Sequence, residues 1–341
     1  MLTNRFKHWV RLLAGLHSFW VLVILLLMCL MFALLTPAGT FLTLNNLKAL
    51  ATDGSELIVL TIGTTFVLIA SGLDLSIGSM LVLDTVVTLK LILALGGAEG
   101  GVAVLLVAGL FAPAFGMAIG VVNGLMIAYL KIPAFIATLG TLGATLGFAR
   151  LVSGGTNLTG VPVALVNAIN DEFLGIPLSV FIAAAVAIIG AVVLHYTSFG
   201  LHTYAIGSHT EATRRSGIRI NRHLIALYAL NGVMVGIVTM VDLGRFGVAS
   251  INAHTTDNLQ AIAGAVIGGT SLFGGRGSIL GAVIGAFIPA VLRNGFIIIG
   301  LQPFWQEVAV SFVLVAAVYF DQWRRAHLET LQAMLLESSS T

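Results

Sequence analysis

The sequence LSVFIAAAVAIIGAVVLHY (Leu178–Tyr196) is followed by TSFGLHTYAIGSHTEATRRSGIRINR (Thr197–Arg222) and then by HLIALYALNGVMVGIVTMV (His223–Val241). Two apolar runs therefore flank one polar segment that contains four arginines. A spanning helix needs about 20 mostly apolar residues, and basic loops between such helices stay mainly on the cytoplasmic side. The pattern predicts a helical membrane protein that presents the Thr197–Arg222 loop to the cytoplasm.

The composition of the whole chain supports this class. Of 341 residues, 58% are hydrophobic and 9% are charged, and the mean hydropathy is +1.05. Soluble domains carry about 25% charged residues, so most of this surface cannot face water. The single cysteine, Cys29, excludes a disulfide within the chain. We predict an all-α polytopic membrane protein with one transmembrane domain over residues 1–341.

Hydropathy predicts about ten spans, some of them short or broken by glycine. They are Ser18–Leu35, Glu56–Ala70, Leu75–Leu95, Val102–Ala128, Ala134–Val152, Leu178–Tyr196, His223–Val241, Asn258–Gly269, Ile279–Arg293 and Phe304–Phe320. An even number puts both termini on one side. With the N terminus inside, eleven of the 16 Lys and Arg residues lie on the inner face, as the positive-inside rule requires. We therefore expect residues 1–17, the Thr197–Arg222 loop and residues 322–341 in the cytoplasm.

The eighth and ninth predicted spans are short, so a re-entrant hairpin or tilted half-helices fit there equally well. The glycine-rich run Gly268–Gly277 between them differs from a phosphate-binding loop, because Gly275 stands where lysine is needed and Arg276 where Ser or Thr is needed. The histidines and the cysteine form no zinc-ligand pattern. We predict no catalytic site, no metal site and no cofactor in this chain.

Glycines repeat at intervals of three or four residues in three predicted spans. Such spacing makes a groove in which two helices approach closely. We therefore expect close helix packing at Gly116, Gly120 and Gly124, at Gly140, Gly143 and Gly147, and at Gly277, Gly281 and Gly285.

Two acidic residues lie at membrane depth. Asp74, between Gly72 and Gly78, either caps backbone donors at a helix break or lines the transport pathway, and the two roles are compatible. Ser76 is expected to cap the start of the next helix. Asp84 lies nearer the middle of its span, where an ionisable residue is a functional candidate by default.

The polar loop contains a short helix pattern. Residues Glu211–Ser216 are good helix formers, and Gly217 is suited to end the helix. Glu211 and Arg215 are one turn apart and able to pair, while Ala212 is small enough for close approach by a partner. The alternative is that the loop only anchors the topology through its positive charge.

Four ordered motifs resemble the membrane subunits of bacterial ABC importers for simple sugars, a family that includes ribose, xylose and autoinducer-2 permeases. The motifs are TTFVLIASGLDLSIGS (Thr64–Ser79), KIPAFIATLG (Lys131–Gly140), the loop from Tyr204 to Ile218, and AVIGGTSLFGGRGS (Ala265–Ser278). Together they cover nearly the whole chain, from about Phe41 to Asp321. One departure is Asn258-Leu-Gln260, where such permeases often carry acidic residues.

The resemblance implies a permease of the bacterial inner membrane that works with a second permease subunit, equal or related. It also implies two cytoplasmic ATPase subunits, which would bind ATP and Mg²⁺, and a periplasmic solute-binding protein. The implied coupling residues are Glu211, Ala212, Thr213, Arg214, Arg215, Ser216 and Gly217. The candidates for the pathway or a gate are Asp74, Ser76, Asp84, Asn258 and Gln260.

The sequence thus predicts an importer subunit for a small polar solute such as a monosaccharide, with no enzymatic activity of its own. The alternative is an ion-coupled secondary transporter in which Asp74 or Asp84 couples transport to H⁺ or Na⁺.

Overall fold

A computed structural model describes residues 17–37, 39–302 and parts of 304–319. The helices are α1 (His17–Leu35), α2 (Leu44–Ile69), α3 (Ile77–Ala94), α4 (Gly101–Ala128), α5 (Ala134–Ser153), α6 (Val163–Asn170), α7 (Leu178–Tyr196), α8 (Ser198–Ser208), α9 (Thr210–Arg215), α10 (Ile220–Phe246), α11 (Asp257–Ile267) and α12 (Ile279–Ile298). The short strands are β1 (Leu158–Thr159), β2 (Glu172–Phe173), β3 (Ile176–Pro177) and β4 (Val248–Ala249). The described positions between 304 and 319 are helical.

Long-range contacts define two ends of the helix bundle. At the loop end, helices α8 and α9 lie beside the C terminus of α2 and the turn between α11 and α12, as hydrogen bonds from Ser71 to Gly207 and Phe273 show. At the far end, β1 pairs with β4, and Lys48 of α2 pairs with Glu172. The polar Thr197–Arg222 segment therefore lies opposite the α6 region.

Helix α2 is the centre of the bundle. Of its most apolar 18-residue window, 83% is buried, against 11% for α1. Side chains such as Ile62 and Phe66 pack in a core with residues of α3, α7, α10 and α12. Helix α1 contacts α12 through Phe32, whose ring meets that of Phe296 edge to face. A helix that exposes this much apolar surface is suited to a lipid environment.

The predicted glycine groove exists between α4 and α10, the most extensive helix pair in the described chain. A Cβ atom on Gly116 would overlap the carbonyl oxygen of Gly232, and one on Gly232 would overlap that of Gly116. Gly120 lies equally close to the carbonyl oxygen of Tyr228. Only glycine allows two backbones to approach this closely, so the packing prediction is confirmed for this helix.

The other two glycine series behave differently from each other. Gly281 and Gly285 pack against Gly268 and Gly264, which brings α11 and α12 together as predicted. In α5, by contrast, a Cβ atom on any of the three predicted glycines would meet no described atom within 4 Å. The expectation of close packing at Gly140, Gly143 and Gly147 is therefore wrong for contacts within the described chain, because that face of α5 points outward.

Eight of the described helices are long and apolar enough to cross a membrane: α1, α2, α3, α4, α5, α7, α10 and α12. The predicted eighth span is the 11-residue helix α11, about 16 Å long at 1.5 Å per residue, so it cannot cross the roughly 30 Å hydrocarbon core. The predicted ninth span is longer than expected and reaches Ile298. The second begins at Leu44 rather than Glu56. The tenth is described in part, at helical positions between 304 and 319, while residues 1–16 and 322–341 lie outside the described residues.

Candidate functional site

Asp74 is fully buried in the break between α2 and α3. Its Oδ1 atom accepts hydrogen bonds from the backbone N–H of Ser76 at 2.9 Å and from the Ser76 hydroxyl at 2.6 Å. Its Oδ2 atom accepts from the side-chain amide of Asn231 on α10 at 2.9 Å. The carboxylate therefore caps a backbone donor at the helix break, and it also ties the break to α10.

The side chain of Ser76 differs from the expected helix cap, because it makes no capping hydrogen bond to α3. Its hydroxyl donates to Asp74 and accepts from the amide of Asn123 on α4 at 2.9 Å. The carbonyl oxygen of Asn123 accepts from Thr141 on α5. Ser76 has helical backbone angles (φ −88°, ψ −10°), whereas a residue that caps a helix start usually has an extended backbone, and its side chain turns to Asp74 and Asn123 instead.

Two further side chains hold the backbone of the break. The amide of Asn258, on α11, donates to the carbonyl oxygen of Leu75 at 3.0 Å. The hydroxyl of Tyr228, on α10, donates to the carbonyl oxygen of Leu73 at 3.1 Å. We call Asp74, Ser76, Asn123, Asn231 and Asn258 the buried cluster. It links α4, α10 and α11 to the break between α2 and α3, and Thr141 adds α5 through Asn123.

Asp84 lies apart from the buried cluster. It is fully buried on α3, and its Oδ1 atom accepts from the hydroxyl of Thr88 at 3.0 Å. Its Oδ2 atom has no hydrogen bond to the described residues and faces the groove between α4 and α10, where a Cβ atom on Gly116 would lie 3.2 Å away. Asp84 therefore lies where α3 meets α4 and α10.

A second group of polar side chains lies at the far end. Arg245, near the end of α10, pairs with Asp53 and with Glu56, the latter at 3.1 Å. Next to them His254 lies between two acids, with Nδ1 at 2.7 Å from Asp257 and Nε2 at 3.1 Å from Asp242. Burial lowers the pKa of His254, but the two carboxylates raise it by more, so the pKa lies well above its ordinary value.

These charges surround a pocket between three helices. It is lined by Asp53, Glu56 and Leu57 of α2, by Asp257 and Gln260 of α11, and by Ala290 and Arg293 of α12. We call it the far-end pocket. Of the five sequence candidates for a pathway or gate, only Gln260 lines it. The structure brings Asp74, Ser76 and Asn258 together elsewhere, in the buried cluster.

Sequence reasoning missed most of the far-end group. Asp53 and Glu56 are three residues apart, a spacing that puts two side chains on one face of a helix. That signal was present, but hydropathy placed the start of the span at Glu56 and left Asp53 outside it. Arg245 and His254 are separated from them by almost 200 residues of sequence, and no local pattern connects them.

Helix α9 is short and exposed at the loop end. It ends at Arg215 with Ser216 as its C-cap, and Gly217 follows in the left-handed region at φ 84°, where the sequence predicts a glycine to end the helix. Glu211 pairs with Arg214 at 3.2 Å rather than with the expected Arg215, because the first pair also lies on one face of the helix. The buried side of α9 is Thr213, whose hydroxyl donates to the carbonyl oxygen of Ala205 on α8 at 2.8 Å.

Helix α8 connects α9 to the rest of the loop end. The hydroxyl of Tyr204 donates to the carbonyl oxygen of Gly277 at 2.7 Å. In the same place, the N–H of Gly275 donates to the carbonyl oxygen of Ile69 at 2.8 Å. Helix α9 is thus connected to the end of α2 through α8 and the turn between α11 and α12. The break that contains the buried cluster follows directly after α2.

The family of permease components of branched-chain amino acid transport systems matches residues 46–318. This range contains the helix break, the α9 segment and the far-end pocket. The chain belongs to this permease family. The family resemblance proposed from the four motifs is confirmed, and the protein is a permease subunit of an import system.

Relatives of this permease are import proteins of similar length. The ribose import permease protein of Escherichia coli (strain K12) is 34% identical over 88% of this chain and 92% of its own. The D-allose transport system permease protein of the same strain is 33% identical over 83% and 85%. The autoinducer 2 import permease of Salmonella typhi is 31% identical over 90% and 86%. No solved structure matches the chain.

Proposed function

We propose that this permease is the membrane subunit of an ATP-driven importer in the bacterial inner membrane, and that its solute is a small neutral polar molecule of the monosaccharide class. Relatives whose names state ribose, allose or galactose import support this solute class. A second permease subunit would complete the pathway. Two ATPase subunits would bind at the cytoplasmic face, and a periplasmic binding protein would deliver the solute.

The observation that carries this proposal is the placement of α9. Its charged residues Glu211 and Arg214 are exposed, with side-chain exposures of 70% and 58%. Its buried residue Thr213 fixes it to α8. A helix of six residues gains little stability by itself. Its attachment to α8 holds it in place, and its exposed charges then form a surface for a soluble partner. Movement of that partner would reach the membrane helices through α8.

The proposed topology has the N and C termini and the α9 loop in the cytoplasm and ten passages of the chain across the membrane. Helix α11 is too short to cross alone, and we propose that it makes the eighth passage together with residues 247–256 before it, from the far end to the loop end. This topology is tested by labelling single cysteines in a Cys29→Ser background with an impermeant maleimide added to intact cells. Ser208→Cys, exposed at the loop end, should stay unlabelled until the cells are opened. Asp171→Cys, exposed at the far end, is the matched control and should label at once. The reverse pattern contradicts the orientation.

Transport is tested in proteoliposomes that contain the permease with its ATPase subunits and binding protein. We expect accumulation of radiolabelled D-ribose, D-allose or D-galactose only when ATP is supplied on the cytoplasmic side. The permease alone should show no uptake under a pH or Na⁺ gradient. Asp84→Asn should keep transport ATP-dependent, because no ion is coupled through this carboxylate. Gradient-driven uptake that Asp84→Asn abolishes would establish the secondary-transport mechanism instead.

A further inference from the structure

We propose that the β2–β3 hairpin is a membrane anchor, which inserts the apolar side chains of Phe173 and Leu174 into the lipid at the far end of the bundle. In the hairpin Phe173 pairs with Ile176 across a turn of two residues, Leu174 and Gly175. The hairpin lies between α6 and the spanning helix α7. The partner is the lipid surface itself, which in the proposed topology is the periplasmic leaflet.

The length of α7 sets the depth of the hairpin in the membrane. Helix α7 has 19 residues, so it is about 28 Å long at 1.5 Å per residue and only just crosses a hydrocarbon core of about 30 Å. Its first residue, Leu178, therefore lies at the boundary of that core. The hairpin ends at Pro177 and contacts the first turn of α7, where the rings of Phe173 and Phe181 meet edge to face at 5.9 Å. The hairpin thus lies in the interfacial layer of the bilayer.

One face of α7 points away from the bundle and continues to the hairpin. Its residues Phe181, Ile188 and Val192 are exposed, and they share one face because seven and eleven residues make about two and three turns of a helix. Only 22% of the most apolar window of α7 is buried within the described chain, so this face is suited to lipid. The ring contact with Phe181 adds Phe173 to the same apolar surface.

The leucine at the tip is not explained by the turn. Leu174 and Gly175 have φ of 54° and 78°, and a two-residue hairpin turn with positive φ at both positions favours Asn-Gly or Asp-Gly. Leucine is disfavoured at the first position because its Cβ atom crowds the following carbonyl oxygen. The side chains of Phe173 and Leu174 are 65% and 83% exposed. Because apolar surface leaves water readily, both side chains find their most favourable surroundings in lipid.

Charged residues come directly before the apolar tip and not within it. Asp171 is exposed, and Glu172 pairs with Lys48 of α2 at 2.6 Å, whereas positions 173–176 carry no charge. Segments that lie at a membrane surface have this pattern, with apolar side chains in the lipid boundary and charged groups on the polar side. The pair with Lys48 also joins the hairpin to α2, so the anchor holds the far ends of α2 and α7 at one depth.

The test measures the depth of the tip in the full-length permease, reconstituted in lipid nanodiscs. Single cysteines in the Cys29→Ser background carry one environment-sensitive fluorophore, at Leu174→Cys on the tip and at Asp171→Cys as the matched control. Two kinds of quencher are compared. The first is a series of lipids with a nitroxide at increasing depth along the acyl chain, and the second is iodide in the water.

We expect the lipid nitroxides to quench the fluorophore at Leu174→Cys several-fold more strongly than that at Asp171→Cys, and iodide to show the reverse order. Stronger quenching of Leu174→Cys by iodide than by any lipid places the tip in water and overturns the proposal. Protection from iodide and from every lipid quencher shows that another protein subunit covers the tip, which also overturns it. Transport is not measured, so the result is independent of the proposed function.

A second measurement keeps the turn and changes only its apolar side chain. Leu174→Asn introduces the residue that this turn favours, so the hairpin should still form. The fluorophore is now at Ile176→Cys, beside the tip. We expect Leu174→Asn to lower its quenching by lipid and raise its quenching by iodide several-fold, while Asp171→Asn, which removes a charge outside the tip, should change neither. Equal quenching with and without Leu174→Asn contradicts anchoring by this side chain.

Discussion

The hydroxyl of Ser71 donates a hydrogen bond to the carbonyl oxygen of Gly207, 3.3 Å away and 136 residues later in the sequence. The carbonyl oxygen of Phe273 lies closer to this hydroxyl, at 2.9 Å, and the two carbonyl oxygens share its single proton. The end of α2, helix α8 and the turn before α12 therefore meet at one residue. Because α9 follows α8 after a single residue, we expect displacement of α9 to move this joint and, three residues beyond Ser71, Asp74.

Replacing Gly207 with alanine should damage this joint. The added Cβ atom would overlap the carbonyl oxygen of Ile69 and approach the backbone nitrogen of Gly275, and backbone atoms cannot move aside as a side chain can. We expect Gly207→Ala to lower ATP-driven transport at least 10-fold while ATP hydrolysis continues. Gly109→Ala, in a helix with no described atom near the new Cβ, is the control and should transport normally. Equal transport by both variants contradicts this role.

The substitution Gly217→Pro should disrupt the end of α9 and so change the position of this helix relative to its proposed ATPase partner. Gly217 has φ 84° and its N–H donates to the carbonyl oxygen of Arg214, whereas proline requires φ near −65° and has no N–H. We expect hydrolysis and transport to be uncoupled in a permease that still reaches the membrane. Glu211→Lys should do the same, since it replaces the pair with Arg214 by repulsion, and Glu211→Gln is its milder control. Normal coupling in Gly217→Pro and Glu211→Lys indicates that the loop only anchors topology.

Asp74→Ala should be strongly destabilising. The substitution leaves the Ser76 N–H, the Ser76 hydroxyl and the Asn231 amide without their acceptor in a fully buried site. Each buried unsatisfied group costs about 1–3 kcal/mol, more in sum than the 0.5–2 kcal/mol of a lost surface cap. We expect low yield and a clearly lower Tm in detergent. Asp171→Ala, exposed at the far end, should stay within about 0.5 kcal/mol of the unaltered protein, and a Tm for Asp74→Ala as high as this control contradicts the prediction.

The His254 contacts should make stability depend on pH. The pKa of His254 is raised by Asp257 and Asp242 over the opposing effect of burial, and Glu56 adds a third nearby carboxylate. A raised pKa in the folded state gives stability that is full below the unfolded pKa of about 6.5 and is lost as pH rises through the folded value. The Tm advantage over His254→Gln should therefore shrink as pH is raised from 6 to 10. A Tm difference that stays constant over this range, or an equal trend for the control His195→Gln, refutes this pH dependence.

The sequence by itself determined the class of the molecule and several of its local features. Low charge and long apolar runs require a membrane environment whatever the packing, so α1, α4, α5 and α7 lie close to their predicted bounds. The α9 helix and its end before Gly217 were also predictable, because helix propensity and a left-handed glycine act over a few residues. The motifs identified the family for the same reason, since each is a short continuous stretch.

Only the tertiary structure decided which polar groups meet. Asn231 reaches Asp74 across 157 residues, and Arg245 reaches Glu56 across 189, distances over which hydropathy carries no information about pairing. The structure likewise shows why Glu56 is tolerated inside a long helix: Arg245 neutralises it from α10. It also separates glycines of equal spacing into a packed series on α4 and an outward series on α5. Spacing fixes the face of a helix, but the neighbour on that face is set by the packing of the whole chain.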